Sequence, residues 1–118
     1  NLEPHHYHQP GRLRQFQHLT LDTTHVGTRR TDLFEFYRQI KARVAHVHLS
    51  NYNGQEHQLV HNGELPLAAL LEQLRHDHFE GCISLELGPY SLQADDEQAL
   101  RQNLRDCLVF CQQALSVG

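Results

Sequence analysis

No run of eighteen apolar residues occurs in this chain, so no membrane-spanning helix is expected. A charged segment followed by an apolar stretch is also missing near its start, so no secretory leader is read and the cytoplasm is the expected compartment. Cysteine is scarce: Cys82, Cys107 and Cys111 are odd in number and show no C-x-x-C spacing. That pattern argues against a disulfide or metal role for them. All three are read as reduced, small core residues, with Cys107 and Cys111 four apart on one helical face. Excess charge is small, with a formal net charge of -4 and a pI near 6.2. Bulk charge therefore gives no reason to expect a nucleic-acid partner. Low-complexity tracts are absent too.

What the chain has in abundance is histidine, eleven in 118 residues. Imidazole is the commonest metal ligand and a frequent acid or base. The tract His5-His6-Tyr7-His8 resembles a metal-binding loop, although such clusters are often only solvated.

The length suits one domain, residues 1–118. Pro4, Pro10 and Gly11 mark an initial loop, with at most a short helix around Leu13 to Gln17. HLTLD (18–22) alternates as a strand does. The segment TTHVGTRR (23–30) reads as a loop, and Thr31 with Asp32 opens a helix carrying Leu33, Phe34, Tyr37 and Ile40. RVAHVHL (43–49) is a second strand, followed by a polar loop to Pro66. Pro66 opens a helix with Leu67, Leu70, Leu71 and Leu74 on its apolar face. CISLELG (82–88) is a third strand, closed by Gly88 and Pro89. Ala94 to Leu115 forms a final helix whose Asp95, Asp96 and Glu97 suit its positive end.

Strands near 18–23, 44–49 and 82–87 alternating with helices predict parallel βα units, in a barrel or an open sheet. A (β/α) barrel of eight units typically takes about 250 residues. If a barrel, the chain is thus a fragment, or a piece completed by self-association into a homo-oligomer, since a three-stranded set leaves both edges unpaired. Asn1-Leu2-Glu3-Pro4 resembles the exit of a preceding strand, as a truncated start would.

Three ligand-type side chains occupy equivalent places: Asp22 ends the first strand, and His48 and Glu86 lie near the ends of the second and third. Reactive groups collect at the carboxyl ends of parallel strands, where the loops converge on one opening. Each has an ordinary structural reading: a loop cap, a core imidazole, an arginine partner. Their repetition in phase favours a shared divalent cation, which would offset the burial of charge. The mixed carboxylate and imidazole set suits manganese, zinc, iron or cobalt, and magnesium less well. His25 would reach the same opening to ligate a second metal or to bind a substrate hydroxyl. His57 would fold over it from the long loop. His46, two before His48, points to the same face but deeper.

The segments LTLDTTH (19–25), AHVHLSN (45–51), HNGELPLAALLEQL (61–74) and CISLELG (82–88) resemble the xylose-isomerase-like TIM-barrel superfamily. That group contains sugar phosphate isomerases and epimerases and the endonuclease IV type of apurinic endonuclease. The resemblance covers nearly the whole chain and corresponds to the last few βα units of the barrel. It implies Asp22, His48 and Glu86 as metal ligands, with Glu86 also moving protons. It implies His25 as a contact to substrate or a second metal. The implied activity is isomerisation or epimerisation of a small carbohydrate through a metal-stabilised enediolate. The family's remaining ligand is a glutamate on the preceding strand, just before the position of Asn1, and Glu3 is the only substitute in the chain. The segment alone is therefore expected to be inactive. The arginine that some epimerases carry after H-x-H is replaced here by NYNG, and the endonuclease pattern is half met, by His57 with Gln55. A metal-dependent phosphodiesterase of the endonuclease IV type and a non-catalytic, self-associating half-barrel are the alternatives.

Overall fold

A computed structural model describes residues 18–116 of the chain. Glu3, the His5-His6-Tyr7-His8 tract and the short helix expected near Leu13 lie outside the described residues. Three strands, β1 (Leu19–Asp22), β2 (Val44–Leu49) and β3 (Cys82–Leu85), form one sheet in the order β1-β2-β3. Both pairings are parallel, with Asp22 opposite His48 and His48 opposite Ser84. Parallel neighbours need crossover connections. These are α2 (Leu33–Ile40) between β1 and β2, and α3 (Leu67–His76) between β2 and β3. The short α1 (Thr23–Thr28) precedes α2, and α4 (Pro89–Leu92) and α5 (Glu97–Ser116) follow β3.

The period of two along each strand sorts the side chains onto two faces. Leu19, Leu21, Val47, Leu49, Ile83 and Leu85 turn toward the helices and join the core. Leu67, Leu70, Leu71 and Leu74 bury the anticipated stripe of α3. On α2 the buried residues are Leu33, Phe36, Tyr37 and Ile40, so Phe36 takes the place expected for Phe34. Asp32 accepts the Glu35 N–H at 2.9 Å and is the cap of α2. The tie between α2 and α3 is polar: the Tyr37 hydroxyl donates to Asp77 Oδ2 at 2.8 Å. Burial, and then this bond, pushes the Tyr37 hydroxyl well above its ordinary pKa. The same bond, with one from Gln73, holds the Asp77 carboxyl below its usual range.

Three expectations are corrected. Residues 23–28 are helical rather than loop, because Asp22 accepts the His25 N–H and so caps a first turn. Cys82 is exposed, since it opens β3 at the sheet's edge; Cys107 is buried and Cys111 partly so, and all three are free thiols. The final helix starts at Glu97, three residues later than the sequence pattern placed it, after the separate turn Pro89–Leu92.

Candidate metal centre

The second face of the sheet is polar. It carries Asp22 from β1, His46 and His48 from β2, and Ser84 and then Glu86 from β3, the last held in register by its N–H donating to Leu49 O at 3.1 Å. Asp22 has two tasks. Its Oδ1 caps α1 at 3.2 Å from the His25 nitrogen. Its Oδ2 lies 3.4 Å from His25 Nδ1 and 4.0 Å from His48 Nδ1, in a side chain only 1% exposed. His48 Nδ1 is 2.7 Å from Glu86 Oε2. One donor atom from each of Asp22, His48 and Glu86 falls within 4.8 Å of the others.

Two ligands about 2.0–2.2 Å from one tetrahedral cation stand roughly 3.3–3.6 Å apart. The His48–Glu86 spacing would have to open by about 0.6–0.9 Å and the Asp22–His48 spacing to close by about 0.4–0.7 Å. One imidazole nitrogen and two carboxylates form a donor set suited to a divalent ion. The residues present therefore fit a cation, and three protein ligands would leave it open coordination positions.

A second group adjoins the first. His25, Glu56 and His57 also bring donor atoms within 4.8 Å of one another, with the two imidazole centroids 6.0 Å apart. His57 bridges the groups, its Nδ1 3.8 Å from Glu86 Oε1 and 3.2 Å from the Glu86 carbonyl oxygen. Glu56 escaped the sequence reading, its only signal being its place beside His57.

The loop carrying His57 is fastened at several points. Thr23 Oγ1 donates to Ser50 O at 2.6 Å and accepts the Ser50 N–H at 3.0 Å. Thr24 Oγ1 donates to Asn51 O at 3.1 Å and accepts the His57 N–H at 3.0 Å. On its other side the His57 carbonyl accepts from Gly88 N at 2.9 Å and Ser91 Oγ at 2.7 Å. These bonds hold His57 at φ 57°, left-handed backbone that a residue with a side chain adopts at a cost. Asn51 is the loop's central knot. Its Oδ1 accepts from Tyr52 N at 2.8 Å and Leu65 N at 2.9 Å, and its Nδ2 donates to Val60 O at 2.9 Å. Gly63 passes so close that a Cβ there would stand 2.4 Å from Asn51 Oδ1. Thr23, Thr24 and Asn51 were not singled out from the sequence. A groove of about 680 Å³ opens at the far end of α1, between Gly27, Arg30, Tyr52 and Glu64, and none of the clustered residues lines it.

No family model matches the chain. An uncharacterized protein of Mycobacterium leprae is 31% identical over 84 residues, which is 69% of this chain and 30% of that protein. Uncharacterized proteins of Mycobacterium bovis and Mycobacterium tuberculosis are 30% identical over 84 residues. The chain thus spans about 30% of the length of these relatives. Among solved structures it is similar to the apo form of the Escherichia coli 3-keto-D-glucoside 4-epimerase YcjR. The TM-score is 0.54 at 24% identity, over 78% of this chain and 33% of that one. This is a likeness of fold, and it accords with parallel βα units forming part of a barrel. No helix among the described residues is long and apolar enough to cross a membrane.

Proposed function

We propose that this chain is the metal-binding C-terminal part of a sugar or sugar-phosphate isomerase or epimerase. The observation that carries the reading is the convergence of Asp22, His48 and Glu86 at the ends of three parallel strands, with donor atoms within 4.8 Å. The likeness in fold to an epimerase of a keto-glucoside supports a carbohydrate substrate. A divalent cation bound there, whether manganese, zinc, cobalt or magnesium, would stabilise the negative charge that develops on substrate oxygens as a proton leaves the carbon beside a carbonyl.

The side chains divide the remaining work. Asp22 and His48 would hold the cation, Asp22 rigidly because its other oxygen caps α1. Glu86 is 41% exposed, with Oε2 toward His48 and Oε1 toward His57, so one carboxylate oxygen is placed to move a proton on one face of a substrate. Epimerisation would need a second base on the opposite face, such as the glutamate that the resemblance puts on the preceding strand. His25 and His57 reach in from the α1 and β2 sides to bind substrate hydroxyls. The opposite wall of the opening would come from further strands, supplied by the rest of a barrel or by a second copy of this chain.

The test is solvent exchange. Protein loaded with manganese, its metal content fixed by elemental analysis, is incubated with a panel of ketoses, aldoses and their phosphates in deuterated water. Metal-dependent deuterium incorporation beside the carbonyl, lost in Glu86→Gln, is the expected result. No exchange across the panel from fully loaded protein spanning the complete barrel overturns the reading. The adjoining His25–Glu56–His57 group favours one second reading, a two-cation phosphodiesterase. Cleavage of a duplex at an abasic site, with no sugar exchange, would select it.

A further inference from the structure

Beneath the pair His48–Glu86 lies a second polar pair that the proposed chemistry does not use. His46 Nε2 and Ser84 Oγ are hydrogen-bonded at 2.9 Å across β2 and β3. Each member sits two residues before its counterpart, so all four side chains share one face. The geometry repeats. In register His48 faces Ser84 and His46 faces Cys82, yet each imidazole reaches two residues further along β3, to Glu86 and to Ser84. The two rings meet edge to face, 4.8 Å between centroids at 84°.

The orientation of an imidazole is set at χ2, whose torsional profile is broad, so its neighbours decide the ring plane. For His48 a rotation there would carry Nδ1 away from Glu86 and Asp22. The His46 ring closes one side against it, and His46 is itself held by Ser84. A valine or leucine at either position would suit the strand as well. The polar pair is thus better explained by the ring it fixes than by the sheet it sits in.

We infer that His46, anchored by Ser84, is the positioning residue that sets the plane of the His48 imidazole. The pair extends the metal reading and depends on it for a consequence in metal affinity, because groups that orient a ligating histidine typically change affinity by about 10–100-fold. The orientation itself is a property of the metal-free protein.

Two variants of the full chain, S84A and H46F, remove the hydrogen bond while the strand ladder stays intact. H46F also keeps an aromatic edge. In metal-free protein, long-range proton–nitrogen NMR of the imidazoles should give one sharp ring pattern for His48. That pattern should broaden or shift in both variants and persist in S84T, which retains a hydroxyl. Titration with cobalt(II), followed by visible absorption, should show about tenfold weaker binding in S84A and H46F with an altered band, and near wild-type behaviour in S84T. Unchanged His48 ring signals in S84A and H46F would overturn the inference. Wild-type protein that takes up no cobalt would sink the metal reading instead, while the ring signals still decide the positioning. Far-UV circular dichroism verifies folding, and should one variant fail it, the other carries the comparison.

Discussion

Replacing Asn51 by alanine should unfold the loop before it touches the sheet. Asn51 is 2% exposed, and its side chain makes three hydrogen bonds of 2.8–2.9 Å, to Tyr52 N, Leu65 N and Val60 O. Each is worth about 0.5–1.5 kcal/mol net, and more where the abandoned partner remains buried. The loss should therefore total about 3 kcal/mol, a large share of what a domain this size has to spare. With a urea m-value of about 1–1.5 kcal/mol/M, the midpoint should fall by about 2–3 M. Far-UV circular dichroism across a urea series measures it. A second readout is local: because Thr24 Oγ1 bonds both Asn51 O and His57 N, hydrogen exchange at the His57 amide should accelerate. A midpoint within about 0.3 M of wild type would refute the reasoning, since one buried and two part-buried bonds cannot vanish so cheaply from a packed loop.

Other perturbations separate the roles of single residues. Asp22→Ala removes the cap of α1, with an expected cost of about 1 kcal/mol and loss of cobalt(II) uptake by titration; Asp22→Asn should keep the cap and still weaken uptake. At His57, held at φ 57°, His57→Gly should be more stable than His57→Ala by about 1 kcal/mol in urea unfolding, because glycine adopts that backbone without strain. Tyr37→Phe should be destabilising at neutral pH. Its wild-type advantage through Asp77 should shrink as pH falls below the ordinary carboxylate range, because the folded pKa of Asp77 is lowered and that stabilisation exists only above its unfolded value. The raised pKa of Tyr37 works in the opposite sense: wild-type stability should drop above about pH 10 as the unfolded phenol ionises, and less so in Tyr37→Phe, as thermal unfolding across pH would show. Iodoacetamide should label Cys82 first, because it is exposed, while burial pushes Cys111 up to about 11 and raises Cys107 as well.

The sheet and its helices were legible because their signals are periodic. LTLD and VAHVHL alternate, and Leu67, Leu70, Leu71 and Leu74 recur at helical spacing, so the apolar core face follows from pattern alone, whereas the burial of Thr20 and Asp22 in β1 does not. The placement of Asp22, His48 and Glu86 together was legible for the same reason: three residues in phase at three strand ends must share a face. Residues 23–28 misled because Thr-Thr-His-Val-Gly-Thr has weak helix propensity. What makes it a helix is a side chain outside it, the Asp22 carboxylate. The loop fasteners were illegible for a related reason. In SNYNGQEH nothing distinguishes Asn51, which is buried and fully bonded, from Asn53, which is exposed; only the positions of Tyr52, Val60 and Leu65 in space make the difference.

These fasteners give the candidate centre a property beyond its list of donors. Asp22 Oδ1 starts α1; Thr23 and Thr24, the first residues of α1, hold Ser50, Asn51 and His57; and His57 returns to Glu86. The circuit closes on the same carboxylate that faces His48. A cation drawn to Asp22 Oδ2 and Glu86 Oε2 would therefore hold two residues to which that loop is tied, and its binding would be linked thermodynamically to loop order. Asp22 is a carboxylate buried to 1% exposure at a strand end, where an asparagine could have capped the helix as well. Capping alone does not require the charge; the His25 and His48 imidazoles, 3.4 and 4.0 Å from Oδ2, are partners for it, and a bound cation would be another.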